Sequence, residues 1–280
     1  MTTDDDAAAT AAIYKRLYPR AYLERFLHEG IRPDGRAFDE CRPCSSDTGS
    51  VTTADGSSLV RVGQTTMMCT VRVETAEPDL MRPDEGFLII NAELMPIASS
   101  QFLSGPPSDD AQVLASRLRQ VISSSNMLPL RKLGIRRAKA VLVVYVDVAC
   151  LSFDGNALDV AVMAVTQALY SARIPVITFE EENNRVIASA SLPREPLKLS
   201  EPVLTCSFAL FGQTVLSDPT DHESAQSRSL ATVALSRSGM IRYVLQSGHG
   251  VLQADRPHAF LQECIGRTKK HLASLWQTID

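Results

Sequence analysis

No apolar run of 18 or more residues occurs in the 280-residue chain, so no segment reads as a membrane-spanning helix. A basic excess is missing too. The 28 lysines and arginines stand against 32 acidic residues, a formal net charge of −4, which excludes binding of nucleic acid through bulk charge. Any polyanion has to be met by a local patch. There is no glycine-rich phosphate loop, and none of the five histidines (His28, His222, His249, His258, His271) stands beside a serine or cysteine in a nucleophile motif. The six cysteines are scattered, several inside apolar runs, which suits reduced buried thiols better than a disulfide framework. Cys41 and Cys44 form the one close pair, and no second Cys/His pair follows at zinc spacing, so neither a metal nor a cofactor is expected. The segment from Met1 to Asp6 is acidic, the opposite of a signal peptide.

What is present is an ordinary globular composition, 45% apolar and 21% charged, in a chain long enough for two packed halves. Residues 1–9 read as a loose tail. Tyr22, Leu23, Phe26 and Leu27 recur at helical spacing, with Pro19 to begin that segment and Gly30 to end it. Arg32-Pro33-Asp34-Gly35-Arg36 is a turn. From Gly49 to Ala76 the period changes to two: Val51, Leu59, Val62, Met67, Cys69, Val71 and Val73 predict a meander of antiparallel strands broken at Asp55-Gly56 and Gly63-Gln64. Phe87 to Leu94 is a further strand, Ala111 to Ser124 an amphipathic helix, and Ala140 to Leu151 a strand buried on both faces.

The helix from Ala157 to Ala172 is apolar almost all round and has to be covered on every side. Val176 to Phe179 and Val186 to Ala190 form a hairpin, and Leu192 to Pro202, with its prolines, reads as a linker. Strands follow over Val203 to Phe211, Thr214 to Leu216, Leu230 to Leu235 and Met240 to Leu245. A closing helix starts near Arg256 with Asp255 as candidate N-cap. The fold class is therefore α+β, organised as an N-terminal tail and helix over 1–30, a first domain over 31–195 and a second over 196–280.

Arg32 to Arg36, the Gly49-Ser50-Val51 and Ala54 to Val60 segments with Gly63-Gln64-Thr65, Ser104-Gly105-Pro106-Pro107, Asp154-Gly155-Asn156-Ala157-Leu158-Asp159, and Ser217-Asp218-Pro219-Thr220 with Glu223 occur in an order that resembles the RNase PH superfamily. The Asp-Gly-Asn-x-x-Asp and Asp-Pro-Thr types are similar to the ring subunits of the eukaryotic RNA exosome. That resemblance implies a protomer with a ribosomal protein S5 domain 2-like first half and an RNase PH C-terminal half. It implies, as partners, the other RNase PH-like subunits of a hetero-hexameric ring, RNA-binding cap subunits, a hydrolytic nuclease subunit and single-stranded RNA. It also implies a place in the nucleus, nucleolus included, and the cytoplasm, with roles in rRNA maturation and mRNA turnover.

Active relatives cleave RNA with inorganic phosphate, so a working site has to hold two anions beside a general acid. The loop before the 111–124 helix is poorly suited to that. Pro106 and Pro107 lack N–H groups, and Asp109 and Asp110 put negative charge at the positive end of the helix dipole. Asp154, Asp159 and Asp218 read as structural carboxylates of turns and helix starts. The expectation is a subunit that is not an enzyme; the alternative is a phosphorolytic 3′-5′ exoribonuclease whose site is shared with a homologous partner. For RNA contact the candidates are Arg131, Lys132, Arg136, Arg137 and Lys139, five positive charges in nine residues with no acid among them; a solvated loop or a subunit edge fits the same run. Channel-facing loops of the family place arginines where this chain has Gln101, Phe102 and Leu103.

Overall fold

A computed structural model describes residues 13–180, 185–189, 193–212, 214–248 and 257–279. The expected tail over residues 1–9, the end of the hairpin at Ala190 and the N-cap at Asp255 lie outside them. After a helical stretch at residues 13–17, α1 (Pro19–His28) begins at its proline as the sequence predicts. The first sheet contains β1 (Cys44–Thr48), β2 (Gly56–Val62), β3 (Thr65–Ala76) and β4 (Phe87–Leu94), then β5 (Gly134–Arg136) and β6 (Ala140–Ser152) after the helix α2 (Asp109–Ser125). Its spatial order is β1-β2-β3-β6-β4, with β5 paired on β6. The first three strands are the expected antiparallel meander. The parallel pair β4 and β6 requires a long crossover, which α2 supplies. One strand differs from expectation: the meander starts at Cys44, not Gly49, and Val51 lies in the turn that follows β1. β1 is an edge strand of sequence Cys-Ser-Ser-Asp-Thr, without the apolar alternation that betrays half-buried strands.

β6 is buried on both faces over its first five residues, in accord with its apolar sequence. It leads into α3 (Ala157–Ser171), in which every residue from Leu158 to Leu169 is buried. β2 covers one side, where Ser58 Oγ donates to the Ala164 carbonyl at 2.7 Å. Gly56 is needed there, because a Cβ would come within 2.4 Å of the Ala168 carbonyl oxygen. The opposite side meets the second sheet: Thr166 Oγ1 donates to the Val203 carbonyl at 3.1 Å. α3 is thus clamped between the two sheets, the covering that its all-apolar sequence demands.

Short pairs follow α3. β7 (Arg173–Ile174) precedes the hairpin of β8 (Val176–Glu180) and β9 (Arg185–Ser189), and β10 (Glu195–Pro196) returns to pair with β7. The segment read as a linker is therefore partly sheet. The second sheet, antiparallel throughout, orders β11 (Val203–Phe211), β12 (Thr214–Ser217), β13 (Ser229–Ser236) and β14 (Ile241–Gly248) as β12-β11-β13-β14. Between β12 and β13 lies a short helix absent from the sequence reading, α4 (Asp221–Gln226). It is announced by a capping box in which Thr220 and Glu223 satisfy each other's backbone N–H. α5 (Pro257–Ile279) closes the chain and buries Phe260, Cys264, Leu272 and Trp276 against the common core.

Candidate functional site: a buried arginine seam and a basic surface

The turn Arg32 to Arg36, the strand entry at Arg42, the start of α3 and the Asp218 turn converge where the two sheets meet. Arg32 is 0% exposed although it sits in a turn. Its Nε and Nη2 donate to the two oxygens of Glu223 at 2.9 and 2.5 Å, and its remaining hydrogens reach the carbonyls of Ser217, Asp218 and Glu40. Arg42 forks onto Asp218 through Nε and Nη2, both at 2.8 Å, and donates from Nη1 to the Asp154 carbonyl at 2.8 Å. Arg36 bonds Asp34 at 2.6 Å and the Asp218 carbonyl at 3.2 Å. Bidentate forks of this kind are the strong form of the ion pair.

Asp218 is the hub. It adopts φ +46°, uncommon outside glycine, and its carboxylate accepts from Arg42, from the Arg42 backbone N–H and from Asn156 Nδ2 at 2.7 Å. Burial alone would raise its pKa, but the Arg42 fork and the Asn156 amide outweigh burial and hold it below the ordinary carboxylate value. Asp159, in the first turn of α3, accepts from the backbone N–H and hydroxyl of Ser207 at 2.6 and 2.9 Å. No arginine reaches it, so burial dominates and lifts its pKa to about 6, against the weaker pull of Thr205, Asn156 and Ser207. Gly155, at φ +77°, lets the chain pass within van der Waals reach of Thr220 and Asp221; a Cβ would come within 2.3 Å of the Asp221 nitrogen. The carboxylates expected to be structural are thus all in one network, and Glu223, noted in sequence only as part of a motif, joins them.

Chemically the seam is occupied by its own ions. A phosphate arriving here would have to displace Asp218 from Arg42 or Glu223 from Arg32, leaving a buried carboxylate bare at a cost of about 3–5 kcal/mol. The start of α2 is closed as well: the Ser108 hydroxyl accepts from the Ala111 N–H at 3.3 Å, and Asp109 and Asp110 fill the first turn. The helix begins two residues earlier than its apolar period suggests, because its first turn is polar.

The basic run sits elsewhere, on a 3-10 turn over Leu130–Leu133 and the tight β5–β6 turn. Arg131, Lys132, Arg136, Arg137 and Lys139 are all exposed. The run lacks acids in sequence but not in space. The loop between β3 and β4 brings Glu85 to 3.4 Å from Arg131 and Asp84 to 4.0 Å from Arg137, while Lys139 lies 5.1 Å from the centroid of the Phe179 ring. Such exposed pairs contribute little to stability and leave the cations reachable. Ala138, between Arg137 and Lys139, takes φ +60° and is pinned by donating its N–H to the Pro83 carbonyl at 2.9 Å. Beside the run, Leu80 and Met81 are 97% and 87% exposed on the same β3–β4 loop, a feature the sequence reading missed. Phe102 is not available to stack on a base: it is 8% exposed and packs edge-on against Phe153 at 5.3 Å. Neighbouring Leu103 is exposed.

The sequence pattern of the 3′ exoribonuclease family, domain 1, matches residues 40–175, and that of its domain 2 matches residues 201–257. The exosome complex component rrp43 of Schizosaccharomyces pombe is 36% identical over 256 residues, covering 91% of this chain and 93% of that protein. The exosome complex component Rrp42 of Thermococcus gammatolerans is 36% identical over 231 residues, covering 82% and 84%. Among solved structures, a chain of the Archaeoglobus fulgidus exosome with RNA bound to the active site superimposes with a TM-score of 0.80 at 28% identity, covering 91% of this chain and 97% of that one.

Proposed function

The chain belongs to the RNase PH family of 3′ exoribonucleases, and from that premise we propose that it serves as a ring subunit of an RNA exosome core and does not itself cleave RNA. In this reading it pairs with other RNase PH-like subunits, lies under RNA-binding cap subunits and helps to guide RNA 3′ ends to a separate hydrolytic nuclease. It works in the nucleus, nucleolus included, and in the cytoplasm. The two halves divide at about residues 195 and 196, with residues 1–30 as an N-terminal extension. The observation that carries the non-catalytic reading is the engagement of Arg32 and Arg42 by Glu223 and Asp218, which a phosphate would have to displace.

The test is phosphate-dependent release of nucleoside diphosphates from single-stranded RNA. The purified chain is expected to give none above a blank. Together with a homologous partner, any release is expected to survive Asp154→Asn, since that carboxylate is half-exposed and makes only a 3.5 Å contact to Arg42, which Asp218 holds in place by its fork. Release by the chain alone, or release by the pair that Asp154→Asn abolishes, overturns the reading.

RNA contact is assigned to Arg131, Lys132, Arg136, Arg137 and Lys139, whose pinned turn presents its cations from a fixed backbone. Replacing Arg131, Lys132 and Arg137 by alanine in the assembled ring is expected to flatten the plot of log affinity for single-stranded RNA against log salt by about 2, at ~0.7 per lost phosphate contact. A second reading, that the run is a subunit edge, is favoured by Leu80 and Met81, aliphatic side chains that suit a protein surface better than a base. It would appear as weakened ring assembly with the salt slope unchanged.

A further inference from the structure

The first sheet is covered on one face only. Along β3, β4 and β6 the buried residues Met67, Cys69, Ile90, Ala92, Val146 and Val148 turn toward the core, and the alternate residues Met68, Thr70, Asn91, Glu93, Asp147 and Ala149 turn the other way. Among the described residues nothing covers the middle of that second face: Arg72 and Asp147, paired there at 3.0 Å, keep side chains 57% and 34% exposed. A parallel pair such as β4 and β6 is ordinarily buried on both sides. At the edge of the sheet α2 stands beside β4, and the two enclose an open groove of about 470 Å³, lined by Met68, Asn91 and Glu93 from the strands and by Gln112, Ser116 and Arg119 from the helix. Glu93 and Arg119 are both exposed, and neither has an ion-pair partner among the described residues.

We propose that this groove is the docking site for an extended segment of a neighbouring RNase PH-like subunit, one that brings a carboxylate to Arg119 and a lysine or arginine to Glu93. The inference rests on the ring reading and adds to it the surface and the chemistry of the contact. Charge selects protein over nucleic acid. Glu93 and Asp147, with Asp109 and Asp110 in the adjoining first turn of α2, set four carboxylates against Arg119 and Arg72, and Arg72 is already taken up by Asp147. A phosphate backbone would be repelled everywhere but at Arg119. A protein segment with one charge of each sign meets both free ions, and such complementarity fixes register and excludes wrong partners. The length fits as well: from Ala111 to Arg119 the helix rises about 12 Å at ~1.5 Å per residue, room for about four extended residues at ~3.3 Å each. The hydroxyls of Thr70 and Ser116 line the same groove within reach of a main chain, while Met68, Ala115 and Ala149 offer apolar contact.

In a ring reconstituted from the full chain and its RNase PH-like partners, Glu93→Arg and Arg119→Glu are each expected to weaken association about tenfold or more, because like charges then meet across the contact. The isolated variants are expected to keep the native urea midpoint, since both side chains are exposed. Ser116→p-benzoylphenylalanine, irradiated in the assembled ring, is expected to cross-link to a neighbouring RNase PH-like subunit. Capture of RNA, of a cap subunit or of nothing at that position overturns the proposal, and so does assembly of both charge variants with native affinity. If the native chain enters no ring with such partners, the ring reading itself falls, and this inference with it.

Discussion

Replacing Arg32 by alanine is expected to remove about 3–5 kcal/mol of folding stability, read as a drop in the urea midpoint. The buried pair itself gives little net gain, since desolvating two charges largely offsets their attraction. The loss comes from what is left behind. Glu223 is 2% exposed, and without Arg32 it keeps one backbone donor at the helix cap for two carboxylate oxygens. The Ser217 carbonyl loses its Arg32 donor as well, and the Asp218 carbonyl is left with Arg36. Against a total stability of about 5–15 kcal/mol for a typical domain, such a loss decides whether the chain accumulates at all. Arg32→Lys is expected to recover only part of it, because an ammonium cannot fork onto both oxygens of Glu223 while also reaching three carbonyls. A midpoint for Arg32→Ala within error of the native one would show that the seam does not hold the halves together.

Stability should also depend on pH through Asp159, with a sign opposite to the usual carboxylate. Its folded pKa is raised by burial, to about 6 from the ordinary 3.8. Between those values the folded state binds more protons than the unfolded one, so the contribution grows as pH falls from 6 toward 4 and is lost as pH rises through 6. A shift of about 2 units corresponds to roughly 3 kcal/mol. Other groups act in neighbouring windows. His222 and His271 are depressed by burial and therefore favour the folded state at higher pH, being overcome as pH falls below the ordinary histidine value. Asp218, held low, contributes stability that is lost only at more acid pH. The measurement that isolates Asp159 is accordingly a difference: urea unfolding of the native chain and of Asp159→Asn from pH 4 to 7. The native chain is expected to gain on the variant as pH falls across that range. A pH-independent difference would mean that Asp159 titrates normally.

Periodicity made the long elements legible. β3, β4, β6, α2, α3 and the strands of the second sheet all carry an apolar pattern of the right period, because each buries a face. β1 and α4 escaped because they bury little: Cys-Ser-Ser-Asp-Thr and Asp-His-Glu-Ser-Ala-Gln have no apolar stripe to read. The Thr-x-x-Glu box before α4 was nonetheless written in the chain. The seam was less accessible still. A Pro-Asp-Gly turn argues for an exposed arginine, yet Arg32 is wholly buried by a partner 191 residues away, a pairing that no local spacing encodes. The basic run was visible by composition alone, but its counter-charges were not, since Asp84 and Glu85 arrive from another loop.

The position of α3 has a consequence for how the molecule can come apart. One helix, without a solvent face from Leu158 to Leu169, serves as interior wall to both sheets at once. The two family domains are separable as stretches of sequence but not as bodies: α3 lies in the first, so cutting away the second strips it of half its cover, and cutting away the first takes α3 with it and bares the inner face of the second sheet. The described chain is therefore tied together at this junction, and its motion falls to peripheral loops or to the molecule as a whole, not to flexing one half against the other.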